Sequence, residues 1–263
     1  MKVHFKIKGR LGNAIFRYMA SCIICIETNN EYSSNSGGTI ELSDAMFLNI
    51  AQCLLADKPL ALPRENISMN GFYQHDQIYK KFRNQIFSFI NEHPEHLIIT
   101  DGITAGDRKY ETFKIYDILN TPIHFKKIYK NVIHLRLEDF VTHNLYISID
   151  KIIGLLDRDI LTEDSVCIVC NKPTTPFEHN YIMTLTSFLK KKNKKVHMEN
   201  NDVLTDYYIM KEAELLICSK STLSWSAAFF SDKNKICYFP NYTITGPNMT
   251  CKYPTDNTIL FTC

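Results

Sequence analysis

Three short segments combine glycines, hydroxyls and cations in patterns that suit an anionic ligand. The first is Gly9-Arg10-Leu11-Gly12-Asn13, a turn between an apolar strand and an apolar helix. Glycines let the backbone approach a ligand closely, and a helix start offers N–H groups to an anion. Asn13 is placed to cap that helix or to hydrogen-bond a ligand. Taken alone, the turn is a weak signal that suits ordinary strand-to-helix punctuation better. The second segment, His134-Leu135-Arg136-Leu137-Glu138-Asp139-Phe140, starts inside an apolar run and places charge at its carboxyl end. An arginine there matches the forked geometry of a diphosphate, and the alternative is an interior ion pair with Asp139. The third, Ser219-Lys220-Ser221-Thr222-Leu223-Ser224-Trp225, sets hydroxyls at a helix start, for capping or for phosphate. Asp206 and Met210, four residues apart, share a helix face just upstream. Together these segments point to a nucleotide diphosphate.

The elements that must position them follow from apolar periodicity. Val3 to Ile7 reads as a strand and Ala14 to Glu27 as a helix. Asp44 to Leu55 and Gln77 to Asn91 read as helices, and Leu97 to Thr100 as a short buried strand. Beyond residue 131 the pattern is regular. Five strands are expected at Val132–Leu135, Val166–Cys170, Lys195–Met198, Leu215–Cys218 and Ile236–Phe239. Helices are expected between them at Ser148–Leu156, Phe177–Lys191, Val203–Glu212 and Ser224–Phe230. Alternation of this kind predicts a parallel sheet with covered faces, a Rossmann-like layout whose ligands bind at strand carboxyl ends. A boundary near residues 121 to 130 divides an N-terminal domain, 1–125, from a C-terminal one, 126–263.

These segments, in this order, resemble the alpha-1,2-fucosyltransferase family, glycosyltransferase family 11. The family's opening G-x-L-G-N-x-x-F-x-Y-A is matched by Gly9, Leu11, Gly12, Asn13, Phe16, Tyr18 and, one residue late, Ala20. Its G-Y/F-x-Q is similar to Gly71-Phe72-Tyr73-Gln74, its H-x-R-R-G-D-Y to His134 through Phe140, and its S-N-S-T-F-S-W-W-A-A to Ser219 through Ala228. Asp206 and Met210 repeat its D-x-x-x-M spacing.

The resemblance implies an α/β, GT-B-like fold, with two Rossmann-like domains and the nucleotide site in the cleft. It implies an inverting, metal-independent transferase that takes L-fucose from GDP-fucose to a glycan hydroxyl in alpha-1,2 linkage, without a cofactor. Carried across, Arg136 holds the donor phosphates, with Gly12, Asn13, His134, Asp206, Ser219, Lys220, Ser221 and Thr222 around the donor. Tyr73 and Gln74 fall on the acceptor side, and Asp139 or Glu138 stands nearest as a base. The family's second arginine is Leu137 here, its glycine is Glu138, and its asparagine between serines is Lys220. Losing a cation and gaining a carboxylate bears on the donor sugar more than on the reaction class. Another nucleotide sugar, such as GDP-rhamnose or a xylose donor, and a noncatalytic nucleotide-sugar or glycan-binding module are the competing readings.

Bulk properties bound the rest. The 263 residues carry 30 Lys and Arg against 28 Asp and Glu, a balance that argues against nucleic acid as the main partner. No run reaches the roughly 18 apolar residues of a membrane span, and the opening residues lack a signal-peptide core, so a cytoplasmic, bacterial or viral-encoded protein is expected. Nine cysteines, an odd number, argue against a full disulfide framework. The Cys22/Cys25 and Cys167/Cys170 pairs sit in apolar runs and are expected to be buried thiols. Asp157-Arg158-Asp159 has the D-x-D form that holds a divalent ion in other transferases, but its charged setting predicts a solvated surface.

Overall fold

The computed structural model describes all residues except 1, 6, 8, 35, 36, 61–64, 105, 106 and 242–250, and of Phe5 and residues 102–104, 107 and 108 the backbone alone. It is α/β with parallel sheets and divides into two compact units, Met1–Pro122 with Ile244–Cys251, and Ile123–Thr243 with Lys252–Cys263.

In the first unit the order is β1 (Lys2–Phe5), α1 (Leu11–Thr28), β2 (Glu31–Ser33), β3 (Ile40–Leu42), α2 (Asp44–Leu55) and β4 (Ile67–Met69). It continues with α3 (Asp76–Lys81), α4 (Arg83–Glu92), β5 (Leu97–Thr104), β6 (Asp107–Lys114) and α5 (Ile115–Leu119). Strands β2-β1-β4-β3 form a parallel sheet, and β5 and β6 an antiparallel hairpin. Helix α1 is apolar almost all round because it is buried almost all round, from Leu11 to Cys25 apart from Asn13. The charge it hides, Arg17, donates from Nη2 to the Met69 carbonyl at 2.6 Å and ties the helix to β4. Asn29 ends α1 in the left-handed conformation that asparagine tolerates.

Three expectations change here. The single helix over Gln77–Asn91 is two, α3 and α4, which meet at Phe82. The short strand Leu97–Thr100 is the first half of β5, with β6 as its partner. Asn13 lies inside the first turn of α1, whose N-cap is Arg10, so it does not cap the helix.

The second unit runs β7 (Asn131–His134), α6 (Glu138–Thr142), α7 (Ile149–Leu156), β8 (Ser165–Val169), α8 (Pro176–Lys191) and β9 (Lys195–Glu199). It ends with α9 (Val203–Glu212), β10 (Leu215–Ile217), α10 (Thr222–Phe229), β11 (Ile236–Asn241) and β12 (Thr258–Thr262). All six strands are parallel in the order β12-β11-β10-β7-β8-β9, so β12 joins the five expected strands. Numbered along the chain this is 3-2-1-4-5-6, the order of a Rossmann sheet, which reverses direction between β7 and β10. Both strands at the reversal are buried at every position, as central parallel strands require. Ile133, Ile168, Leu215 and Ile217 on the sheet pack against Leu155 of α7 and Leu185 of α8. Helix α8 opens with Pro176 at its first turn and a capping box, Thr175 accepting from the Glu178 N–H while Glu178 accepts from the Thr175 N–H. Such a cap is worth about 1 kcal/mol.

All nine cysteines are free. Cys22 and Cys25 lie in α1 and Cys167 and Cys170 at β8, all buried, and burial pushes the Cys25 and Cys170 thiols up to about 12. Asp157 and Asp159 pair with Lys192 at 2.8 and 3.7 Å on the surface.

Candidate functional site

Each unit gathers motif residues at the carboxyl ends of its central strands. In the second unit, β7 delivers His134 and Arg136, and β10 delivers Ser219 and Lys220, on the two sides of the sheet's reversal. His134 is buried, and its Nδ1 lies 2.8 Å from the Ser219 hydroxyl, a bond between segments 85 residues apart. Burial lowers its pKa to about 4, so the ring is neutral near pH 7.

That burial predicts an acid-sensitive fold. Between pH 6.5 and 4 an unfolded His134 is protonated while the folded one is not. The unfolded state therefore binds more protons, and stability falls as pH falls through this window. A shift from 6.5 to about 4 is worth about 3 kcal/mol, fully lost below pH 4. His134→Gln, neutral throughout, should lose correspondingly less between pH 7 and pH 4 in urea unfolding.

Arg136 pairs with Asp139, but at a partly exposed position and not in the interior. Its Nη2 is 2.9 Å from Asp139 Oδ1 and 3.7 Å from Glu138 Oε2, and its guanidinium lies 5.5 Å from the Phe140 ring centre. Together with Lys220, Arg136 lines a shallow hollow, partly open to solvent, whose wall is Leu137, Phe140, Tyr146, Ile147 and Tyr181. Its chemistry, two cations over an apolar floor, suits a phosphate beside a ring.

Glu138, at the position where the resembled pattern has glycine, carries a φ of +28°. A side chain in that region costs about 1–2 kcal/mol, so the backbone has a form that favours glycine while the sequence supplies a carboxylate. The carboxylate accepts from Asn171 Nδ2. Glu138→Gly should leave stability unchanged or raise it by up to about 1 kcal/mol, because relief of strain exceeds the chain entropy of glycine. It should also tighten binding of a nucleoside diphosphate roughly tenfold, because one anion beside Arg136 is gone. Calorimetric titration with GDP alongside urea unfolding checks both effects.

Hydroxyls of the third segment serve the fold itself. Ser221 caps α10, accepting from the Leu223 N–H at 3.2 Å, and Ser224 donates to the Ser221 carbonyl at 3.2 Å. Thr222 is the first residue of α10. Asp206 does not line the hollow. It is buried in α9 and accepts from the Asn201 backbone N–H at 3.2 Å and from Nδ2 at 2.9 Å. Burial raises its pKa against the pull of those bonds.

In the first unit, β1 and β4 are neighbours, and the segments leaving their carboxyl ends meet. Gln74 Nε2 donates to Asn13 Oδ1 at 3.4 Å, a contact 61 residues apart in the chain. Gly9 has a φ of +83°, and a Cβ there would stand 2.9 Å from Asn13 Nδ2, so only glycine admits this approach. Gly12 is buried in the first turn of α1. Gly71 is fixed by similar crowding, since its Cβ would stand 2.8 Å from Asp44 Cγ. Asp44 Oδ1 accepts from the Phe72 and Tyr73 N–H groups at 2.9 and 2.6 Å. Tyr73, expected on the acceptor side, is a core residue instead. It is fully buried, its hydroxyl donates to the Leu42 carbonyl, and its carbonyl accepts from the Tyr79 hydroxyl.

Two polar residues here escaped the sequence reading. His75, buried next to Gln74, has no hydrogen-bond partner at either ring nitrogen among the described residues, and burial lowers its pKa. Asp101 donates its N–H to the Gly9 carbonyl at 2.9 Å and keeps a buried Oδ1 with no partner among the described residues. Adjacency to Gln74 was a signal for His75, whereas nothing local marks Asp101. No helix among the described residues is long and apolar enough to cross a membrane. Comparison with protein-family models, curated proteins and solved structures finds no match to this chain.

Proposed function

We propose that the chain is an inverting, metal-independent glycosyltransferase of the alpha-1,2-fucosyltransferase kind, moving L-fucose from GDP-fucose to a glycan hydroxyl in a GT-B-like arrangement. The observation that carries this reading is the convergence of His134, Arg136, Ser219 and Lys220 where the six-stranded parallel sheet reverses. Ligands of such sheets bind there. Two further observations support it: the Asn13–Gln74 contact joins two other family-like segments, and Glu138 keeps a backbone form suited to the pattern's glycine.

In the proposed reaction the acceptor oxygen attacks the anomeric carbon from the face opposite GDP. The carbon–oxygen bond to the diphosphate breaks, its electron pair leaves with GDP, and configuration inverts. Arg136 exchanges Asp139 for the diphosphate, and Lys220 adds a second positive charge. Stabilising the leaving group electrostatically supplies most of the rate. The hydroxyl proton passes to a carboxylate, Asp139 or Glu138. Release of Arg136 frees Asp139 to accept it.

The Arg136–Asp139 pair also favours a second reading, a noncatalytic nucleotide-sugar binder in which that pair is permanent. Incubation with GDP-fucose and a panel of glycan acceptors, followed by mass spectrometry, separates the two. Fucosylated product with stoichiometric GDP supports the transferase. GDP-fucose binding without product or hydrolysis supports the binder, and transfer from GDP-rhamnose or a xylose donor alone reassigns the sugar.

A further inference from the structure

We propose that His93, Glu95 and His96 form a site for one divalent transition-metal ion of the zinc class, independent of the transferase reading. They belong to the turn His93-Pro94-Glu95-His96 between α4 and β5, closed by the His96 N–H donating to the His93 carbonyl at 3.1 Å. One donor atom from each lies within 4.8 Å of the others. His93 Nδ1 is 3.5 Å and His96 Nε2 3.7 Å from Glu95 Oε1. With metal–ligand bonds of about 2.0–2.2 Å, a tetrahedral ion separates its ligands by about 3.3–3.6 Å. Both histidine–carboxylate spacings are therefore within a few tenths of an ångström of that geometry.

Tyr18 provides the supporting shell. Its hydroxyl is 2.9 Å from His96 Nδ1. In the tautomer with the proton on Nδ1, the tyrosine oxygen accepts from His96 Nδ1–H, and the lone pair of Nε2 faces Glu95. Metal-bound histidines are held this way, by a partner on the far nitrogen. The two imidazoles are stacked, with centres 4.6 Å apart and planes 6° from parallel. An ion lies near the plane of each ring that binds it, so one ring must turn. His93 is 40% exposed and can do so, whereas His96 is packed against Tyr18, Tyr32 and Phe89. Two imidazoles and one carboxylate favour Zn²⁺ and its neighbours over Mg²⁺ and leave a position for water. Five residues of extended β5 place the turn roughly 15 Å from Asp101, so the ion would lie apart from the Asp101–Gly9 contact.

The test is calorimetric titration of the reduced, tag-free full chain with Zn²⁺ and with Mg²⁺, and optical titration with Co²⁺. One saturable Zn²⁺ equivalent, no Mg²⁺ heat, and Co²⁺ bands without sulfur charge transfer are expected. Glu95→Gln and His93→Ala change exposed side chains and should abolish or strongly weaken binding. Tyr18→Phe should weaken it by about tenfold, the effect of losing an outer-shell partner. Absence of saturable Zn²⁺ binding overturns the proposal. So does binding that persists in Glu95→Gln and His93→Ala, or a sulfur-to-cobalt band, which puts the ion on cysteines. None of these readouts depends on whether GDP binds.

Discussion

Arg136→Ala is expected to lower affinity for GDP by roughly thirty- to a hundredfold while leaving stability nearly unchanged. The guanidinium offers forked, charge-assisted bonds to a diphosphate, and removing one partner of such a pair costs about 2–5 kcal/mol. The lower part of that range applies, because the wild-type arginine must first release Asp139, 2.9 Å away. Stability is insulated because the pair is local and its carboxylate side chain is 43% exposed, and exposed pairs contribute about 0–1 kcal/mol. Arg136→Lys should recover part of the loss, since it restores the charge without the fork. Calorimetric titration measures the affinity and urea unfolding the stability. Unchanged affinity in Arg136→Ala would remove Arg136 from the donor site.

Asp44→Ala should destabilise the protein by about 3 kcal/mol, a large share of the stability of an ordinary domain. One carboxylate oxygen takes two backbone N–H bonds, from Phe72 and Tyr73, across 28 and 29 residues. Tyr73 sits at a φ of +54°, a form that costs a side-chain-bearing residue about 1–2 kcal/mol and that the two bonds offset. With Asp44 gone, the turn that presents Gln74 to Asn13 loses its anchor. Asp44→Asn, which keeps an acceptor without the charge, should lose about half as much. Urea unfolding decides: a loss under about 1 kcal/mol in Asp44→Ala would mean the turn holds itself.

The parts of the fold legible in the sequence are those with strong local signals. Strands β7, β8 and β10 are central and almost wholly buried, so each reads as a continuous apolar run. Helix α8 announces itself through Thr175, Pro176 and Glu178. In contrast, β2, β3 and β4 have three residues each, too few for any period to register. The break between α3 and α4 falls at Phe82, where neither glycine nor proline punctuates the chain. Strand β6, DRKYETFK, is charge-rich and has its pairing, not its own apolarity, to define it.

The site divides along the same line. Arg136, Ser219 and Lys220 were legible because they follow apolar strands directly, and the topology then brought them to one hollow. The burial of Tyr73 was not legible, because it depends on the Leu42 carbonyl 31 residues away. The service of Asp44 to Gly71–Tyr73 and the approach of Asp101 to Gly9 are likewise long-range contacts between segments with no shared motif.

The most direct measurement is thermal stabilisation by GDP, UDP, CDP and ADP, each with EDTA and with Mg²⁺, in the wild type and in Arg136→Ala. Ligand at about 100 times its dissociation constant adds roughly 2.7 kcal/mol to the folded state. The account predicts a shift with GDP alone, equal in EDTA and in Mg²⁺, and strongly reduced in Arg136→Ala. A shift selective for UDP or dependent on Mg²⁺, or no shift with any nucleotide, would contradict it.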